Sequence, residues 1–204
     1  SSLSLVAYYG DDQNKDEALD SDRVSGAVTV SFEFDASLVK GKQTVVFEDL
    51  NKGSKNFTVK TNIARHADID DEGQEVDYPE LHTTATVDGA HSTKASDTIE
   101  LVDTVTYTNL EPGKTYRVEG KLMNKADGTE IVDGTTNSTI TATAEFVPDS
   151  ENGTTEVKFS FDGSKLANTD TVVFENLYKV GAGMNGDDTH VGQHEDLSDT
   201  DQTV

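Results

Sequence analysis

Short runs of alternating apolar and polar residues recur along the chain. They cover residues 28–34 (VTVSFEF), 98–110 (TIELVDTVTYTNL), 115–123 (TYRVEGKLM) and 156–161 (EVKFSF). A period of two places successive side chains on opposite faces of an extended strand, so each run predicts a β-strand. Stretches with the 3.6-residue period of an amphipathic helix are missing from the sequence. The pattern therefore predicts an all-β chain.

Turn-forming residues separate these runs at the spacing of hairpins. EPGK at 111–114, ADGT at 126–129 and SENG at 150–153 each combine residues that favour tight turns. Many short strands with turn signals between them are typical of an immunoglobulin-like β-sandwich.

The chain contains an internal repeat. Residues 26–50 align without gaps to residues 153–177, and 12 of the 25 positions are identical. The offset of 127 residues becomes 128 for the later pairs His66/His194 and Gln74/Gln202. A period of this size matches a domain rather than a solenoid repeat. The sequence thus predicts two tandem immunoglobulin-like β-sandwich domains.

The domain boundary is expected near Asp77, in the proline-containing segment EVDYPELH at 75–82. Residues 1–76 then form the C-terminal part of the first sandwich, and residues 77–204 form a complete second one. By the repeat period, the opening strands of the first domain are expected upstream of Ser1, so that domain lacks its N-terminal strands in this sequence.

Composition narrows the range of partners. The chain has 39 Asp and Glu against 16 Lys and Arg, a net charge of −23, which disfavours nucleic acid and anionic membranes. No stretch approaches the roughly 20 apolar residues of a membrane span. Cysteine is absent, so disulfides and thiolate metal sites are excluded and an extracellular chain needs another form of cross-link.

One carboxyl group lies where a strand core should be apolar. Glu175 follows three apolar residues in VVFE, and Glu48 occupies the same place in the first copy. Burial of a carboxyl group without a partner is costly, so its recurrence indicates a function. His and Gln also recur eight residues apart in both copies, as His66 and Gln74 and as His194 and Gln202.

These residues belong to a larger set that resembles a known family. The chain has a TT pair at 83–84, Asp103 before a T-x-x-Y strand, VVFE ending at Glu175, and HED beginning at His194 with Gln202 eight residues later. Together they resemble the Thr–Gln ester-bond (VaFE-type repeat) immunoglobulin-like domains of Gram-positive bacterial surface adhesins. The resemblance spans residues 81–204. It implies an ester between Thr83 and Gln202, with Thr84 as the fallback because successive strand residues face opposite ways.

The chemistry of such a bond assigns a task to each remaining residue. A hydroxyl and a carboxamide react only when both are activated in a dry site. His194 is expected to be the general base that takes the Thr83 proton. Asp103 and Glu175 are expected to share a proton and to hydrogen-bond the Gln202 carbonyl oxygen as ammonia is expelled. No cofactor and no metal ion is expected.

The first copy keeps Glu48, His66 and Gln74 as an incomplete site, since its Thr and Asp are expected before Ser1. We therefore expect no self-made ester in the first domain of this sequence. An unreacted Gln there could accept a complementary strand.

The leading functional interpretation is a structural stalk region of a bacterial cell-surface adhesin, extracellular and anchored to the cell wall through regions outside this sequence. Its expected partners are neighbouring repeats of the same stalk and a host surface ligand. The chain is not expected to be an enzyme beyond one autocatalytic ester-forming turnover.

Other functions and sites stay open from sequence alone. A ligand-binding adhesin module could recognise a host protein or glycan through loops 11–25 and 180–190. A hydrolase and a Lys–Asn isopeptide cross-link through Lys94 or Lys121 are further alternatives. A calcium loop at 68–73 is disfavoured because Pro79 would stand at its twelfth position, and a zinc site at His190 and His194 lacks typical spacing.

Overall fold

A computed structural model describes residues 2–3, 30, 32–53, 60–183 and 185–204. The chain divides into two compact units, Ser1–Val39 and Lys40–Val204. In the first unit, β1 (Ser2–Leu3) pairs antiparallel with β2 (Phe32–Glu33), and a 3-10 helix spans Ala36–Val39. The predicted loop at 11–25 lies outside the described residues, as do residues 28, 29 and 31 of the first predicted strand.

The second unit is built from eleven described strands and one short 3-10 helix, Glu72–Gln74. In chain order the strands are β3 (Lys42–Val45), β4 (Glu48–Gly53), β5 (Lys60–His66), β6 (Glu75–Tyr78), β7 (Glu80–Val87), β8 (Ile99–Thr108), β9 (Tyr116–Asn124), β10 (Thr141–Phe146), β11 (Gly153–Phe161), β12 (Thr171–Lys179) and β13 (Thr189–His194).

Strands β7 to β13 form a β-sandwich, which confirms the predicted all-β immunoglobulin-like fold. One sheet has the order β10-β9-β12-β13 and the other β11-β8-β7, and all pairs are antiparallel. The strands predicted at 98–110, 115–123 and 156–161 correspond to β8, β9 and the second half of β11. None of the described helices is long and apolar enough to cross a membrane.

The core lies between the two sheets and is filled from both. Leu101 and Val105 of β8 and Phe159 of β11 face Val118 and Leu122 of β9 and their neighbours. The sheets approach each other closely at Gly120, where an added methyl group would lie 2.6 Å from Phe159 Cζ. A side chain at position 120 would force the aromatic ring away, so this glycine fixes how closely the sheets pack.

Strand alternation also turns polar residues into the core. Asp103 occupies an inward position of β8 between Leu101 and Val105, and Glu175 occupies one of β12 between Val173 and Leu177. Both carboxyl-bearing residues have no exposed surface. The same period of two that buries the apolar side chains therefore buries these two as well.

The C-terminal segment, residues 201–204, bridges the two sheets. Ala85 of β7 donates its backbone N–H to Asp201 O at 2.9 Å, and Val173 of β12 donates to Gln202 O at 3.2 Å. Thr171 and Val204 exchange two further backbone hydrogen bonds, at 2.8 and 2.9 Å. The segment is thus held against β7 on one side and β12 on the other.

The β4–β5 hairpin repeats the β12–β13 hairpin. Glu48 pairs with His66 as Glu175 pairs with His194. A register shift follows Leu50 in the first hairpin and Leu177 in the second, at equivalent positions. The repeat seen in the sequence is therefore also a repeat of strand register. Strands β3 and β6 form a second antiparallel pair. The chain continues from β6 through Pro79 into β7.

We expect Leu122→Ala to lower the free energy of unfolding of the chain by about 2–5 kcal/mol, because a fully buried leucine leaves a cavity. Val147→Ala, at a side chain that is 53% exposed, serves as the control and should change it by less than about 0.5 kcal/mol. Urea denaturation followed by circular dichroism measures both. Equal losses would contradict the assigned core.

Candidate functional site

Thr83 and Gln202 meet in the interior of the sandwich. Thr83 faces inward from β7, whereas its neighbour Thr84 is exposed. Gln202 is fully buried, and its Nε2 atom donates a hydrogen bond to Thr83 Oγ1. The first strand of the sandwich thus presents a hydroxyl directly to the carboxamide of the last segment. Of the two threonines left open by the sequence, the structure brings Thr83 to the amide.

Asp103 and Glu175 lie beside this pair, on opposite sheets. Burial raises the pKa of Asp103, while a hydrogen bond to Glu175 and the charge of His194 oppose that rise. Burial raises the pKa of Glu175 well above its usual range, and the neighbouring Asp103 raises it further. Both Asp103 carboxyl oxygens and Glu175 Oε1 are buried without a hydrogen-bond donor among the described residues. A proton on one of the two carboxyl groups would allow them to hydrogen-bond to each other, because two carboxylates only accept. The buried pair therefore retains one proton at a pH at which isolated carboxyl groups are ionised.

Glu175 Oε2 contacts both reacting groups. It accepts a hydrogen bond from Gln202 Nε2 at 2.7 Å and one from the Thr83 hydroxyl at 3.4 Å. The buried Gln202 Oε1 has no hydrogen-bond donor among the described residues. The sequence led us to expect a protonated carboxyl group on that carbonyl oxygen. The structure instead places the carboxyl group on the amide nitrogen.

His194 ends β13 and connects two segments of the site. Its Nδ1 lies 3.1 Å from the backbone oxygen of Leu81, and its Nε2 lies 2.8 Å from Asp199 Oδ2. Thr83 Oγ1 is not among its hydrogen-bond partners within the described chain. The general-base role expected of His194 is therefore not matched by a direct contact in this structure.

Asp199 is a residue of this site that the sequence reasoning missed. It lies five residues after His194, and Asp71 lies five residues after His66 in the first copy. His66 Nε2 lies 2.9 Å from Asp71 Oδ2, which repeats the His194–Asp199 contact. The equal spacing in both copies was the signal that could have identified it.

The incomplete first-copy residues are also brought together. Gln74 Nε2 donates to Glu48 Oε2 at 3.3 Å, as Gln202 does to Glu175. Gln74 Oε1 is buried and has no hydrogen-bond partner in the described part of the chain. The Glu–His–Asp–Gln arrangement is therefore common to both hairpins.

The alternative cross-link and metal sites are placed elsewhere. Lys94 is exposed, and Lys121 is partly exposed and donates to Glu130 Oε1 at 2.7 Å, so neither is enclosed in the core. His190 Nε2 lies 2.9 Å from Asn176 Oδ1, apart from the contacts of His194. Across the described ranges, no group of three or more His, Asp or Glu side chains is arranged to hold a metal ion.

The loop at 180–190, a candidate ligand-binding loop, is described except for residue 184. Asp188 holds this loop against the sheet. Its carboxylate accepts a hydrogen bond from Gly181 N at 2.9 Å and forms an ion pair with Arg117 of β9. Arg117 also lies over the ring of Tyr178, 5.1 Å from its centroid. These contacts hold the described part of the loop against β9 and β12.

The solved structures that are similar to this chain include two related ones. Both are a bacterial adhesin from Mobiluncus mulieris containing intramolecular disulfide, isopeptide and ester bond cross-links, in space groups P21 and P1. Sequence identity is 22% and 21%, and the TM-scores are 0.48 and 0.49. The matches cover 62% of this chain and 56% of each solved chain, so the sequence spans little more than half of that adhesin structure. A comparison with curated proteins gives no significant match.

A family model matches nearly the whole chain in two consecutive segments, residues 8–78 and residues 79–204. The second segment contains Thr83, Asp103, Glu175, His194 and Gln202, and the first contains Glu48, His66 and Gln74. The chain belongs to the family of T-Q ester bond containing domains.

Proposed function

We propose that the chain is a structural stalk region of a bacterial surface adhesin, in which Thr83 and Gln202 form an ester that locks the second domain. The observation that carries the proposal is the direct contact of the Thr83 hydroxyl with the Gln202 carboxamide in the sandwich interior. Family membership supports the same bond. The protein is then autocatalytic once and turns over no substrate.

Atoms balance in this reaction without a cofactor. The Thr83 oxygen attacks Gln202 Cδ, the new C–O bond forms, and the C–N bond breaks. The amide nitrogen leaves as ammonia and carries away the hydroxyl proton. The product has the mass of the chain minus one ammonia.

The position of the bond suits a load-bearing domain. It joins β7, the first strand of the sandwich, to the C-terminal segment that bridges the sheets. Force that enters along β7 and leaves through residues 203–204 then passes through the ester. The strands between residues 84 and 201 are outside that path, so their hydrogen bonds need not bear the load.

Connection to neighbouring repeats follows from the chain path. β6 ends at Tyr78 and β7 begins at Glu80, so only Pro79 separates them. Gly41 N, just before β3, donates to Tyr78 O at 2.7 Å, and Asn109 Nδ2, just after β8, donates to Lys42 O at 2.7 Å. The start of β3 is thus hydrogen-bonded both to β6 and to the sandwich. Such a junction transmits tension from one repeat to the next.

The extracellular, cell-surface location also belongs to the proposal. This chain lacks cysteine, so an ester offers a cross-link that needs no disulfide. The proposal includes attachment to the cell wall of a Gram-positive organism.

We expect the purified chain to have a mass one ammonia below that of its sequence, and Thr83→Ala and Gln202→Ala each to restore the full mass. Thr84→Ala is the matched control, because its side chain is exposed, and it should keep the lower mass. Intact mass spectrometry and mapping of the joined peptides test this. A full mass in folded wild-type protein would refute the proposal.

Loss of the ester should also lower stability. The bond closes a loop between residues 119 positions apart, and a loop of about 100 residues is worth about 4.7 kcal/mol in the chain-entropy estimate. Thr83→Ala should therefore lower the free energy of unfolding by about 4–5 kcal/mol, measured by urea denaturation. A loss no larger than that of Thr84→Ala would show that the cross-link is not stabilising.

The pH dependence of the uncross-linked domain should reveal the buried carboxyl pair. Because the folded state raises the pKa of Glu175 above its usual value of 4.5, folding binds protons, and this stability is full below that value and falls as pH rises through the raised pKa. In a Thr83→Ala background, the free energy of unfolding should fall with rising pH above 4.5, and Glu175→Gln should make that fall smaller. Glu156→Gln, at an exposed strand position, is the control. Equal pH dependence in both double variants would contradict the assignment.

A further inference from the structure

The boundary between the two family segments lies inside one compact unit. The first repeat, residues 8–78, and the second, residues 79–204, meet between Tyr78 and Pro79. The compact unit nevertheless runs from Lys40 to Val204, so β3 and β6 of the first repeat pack with the sandwich of the second. Domains in one chain are expected to move relative to each other unless their contacts prevent it. The contacts at this boundary therefore decide whether the two repeats hold one orientation.

The covalent connection between the repeats is short and stiff. Pro79 is the single residue between β6 and β7. A proline ring fixes its own φ angle and restricts the preceding residue, here Tyr78, to extended conformations. The Tyr78 carbonyl oxygen also accepts a hydrogen bond from Gly41 N at 2.7 Å, which holds it against the start of β3. Few conformations are left to the linker.

Gly41 brings the backbone of the first repeat close to the second. A methyl group added there would lie 3.2 Å from both Glu80 Oε2 and Thr108 Oγ1, at the start of β7 and the end of β8. Gly41 has a φ of 64°, and Asn168, which aligns with it in the second copy, has a φ of 60°. The left-handed backbone of this turn therefore accepts an asparagine. The missing side chain at Gly41 matches the close approach of the second repeat instead.

Asn109 connects the second repeat to the first. It directly follows β8, and its Nδ2 donates a hydrogen bond to Lys42 O of β3 at 2.7 Å. Its φ is 60°, a conformation that asparagine adopts more readily than most residues. Its backbone N–H donates to Asn152 Oδ1 at 3.2 Å, which fixes the position from which the side chain reaches across. The close approach at Gly41 and the Asn109–Lys42 hydrogen bond together form what we call the junction latch.

A cleft of about 580 Å³ lies beside the latch. Carboxyl groups line it from both repeats, Glu75 and Asp77 from β6 and Glu111 and Glu151 from the sandwich. Lys179 also lines the cleft and forms an ion pair with Glu111. Like charges that face each other across a cleft repel. The charge in the cleft therefore favours separation of its two sides, and the latch opposes it.

We propose that the end of the sandwich formed by the start of β7 and the residues after β8 is a docking surface for β3 and β6 of the preceding repeat, and that Asn109 holds the two repeats in one orientation. The latch and the ester use different residues, so either can exist without the other. A stalk with such junctions keeps a set angle between its repeats, whereas a flexible linker would leave each repeat free to turn.

The orientation of the repeats is measured as a distance between two spin labels. The chain has no cysteine, so two introduced cysteines can be labelled selectively. Thr61→Cys in β5 and Lys158→Cys in β11 form the junction pair, and Thr143→Cys in β10 and Lys158→Cys form a reference pair within the sandwich. All three side chains are exposed. Double electron–electron resonance gives the distance distribution of each pair in the full chain, and the junction pair should be as narrow as the reference pair.

Two variants remove the Nδ2 donor in different ways. Asn109→Gly keeps the left-handed backbone, and Asn109→Asp keeps the shape of the side chain. Both should broaden the distribution of the junction pair and leave the reference pair unchanged. Asn137→Gly is the matched control, because Asn137 is another left-handed asparagine, in the loop between β9 and β10, and it should leave both pairs unchanged.

A junction pair broader than the reference pair in the otherwise unchanged chain would overturn the inference. So would Asn109 variants whose junction pair is as narrow as that of Asn137→Gly. The intact mass of the same samples tests the ester separately, and the Asn109 variants should keep the loss of one ammonia. A full mass in the otherwise unchanged chain would refute the proposed ester, while the distance distributions would still decide whether the latch exists.

Discussion

The burial of two facing carboxyl groups between the sheets is the constraint on which the site depends. Asp103 comes from β8 and Glu175 from β12, so neither sheet contains the pair alone. Two buried carboxylates side by side would repel each other and lack solvation, which the sandwich tolerates because the pair retains a proton. Formation of the site is therefore coupled to docking of the sheets. Until they pack, the carboxyl groups remain solvated and the hydroxyl and amide remain apart.

Because the site forms only when the sheets dock, the sequence predicts some of its features and not others. Alternation alone identifies β8 and β9, because each strand has one buried and one exposed face. The set Thr83, Asp103, Glu175, His194 and Gln202 is readable from the repeat and the family pattern. The sequence does not show which atoms of these residues face each other, because the bridging segment at 201–204 sets that arrangement. The direction of the His194 ring depends on Leu81 O, which is distant in sequence, and no periodicity reports that contact.

The two hairpins show how strongly context decides burial. Both contain the glutamate that ends a VVFE sequence and a leucine two residues later, and both shift register after that leucine. Leu177 is completely buried beneath the opposite sheet, whereas Leu50 is 55% exposed. The local sequence thus determines the hairpin and its register shift, whereas packing against the opposite sheet determines whether the inward face is shielded from water. Dryness matters because water would ionise the carboxyl pair and solvate the amide.

The location of the reacting pair follows from the requirement that the two ends of the domain meet. β7 is an edge strand of the three-stranded sheet, so its open side can receive the segment at 201–204. That segment also pairs with the beginning of β12, next to the strand position of Glu175. The backbone therefore brings the last residue pair of the domain to its first strand before any covalent bond exists. The proposed ester would add a covalent link to this hydrogen-bonded closure.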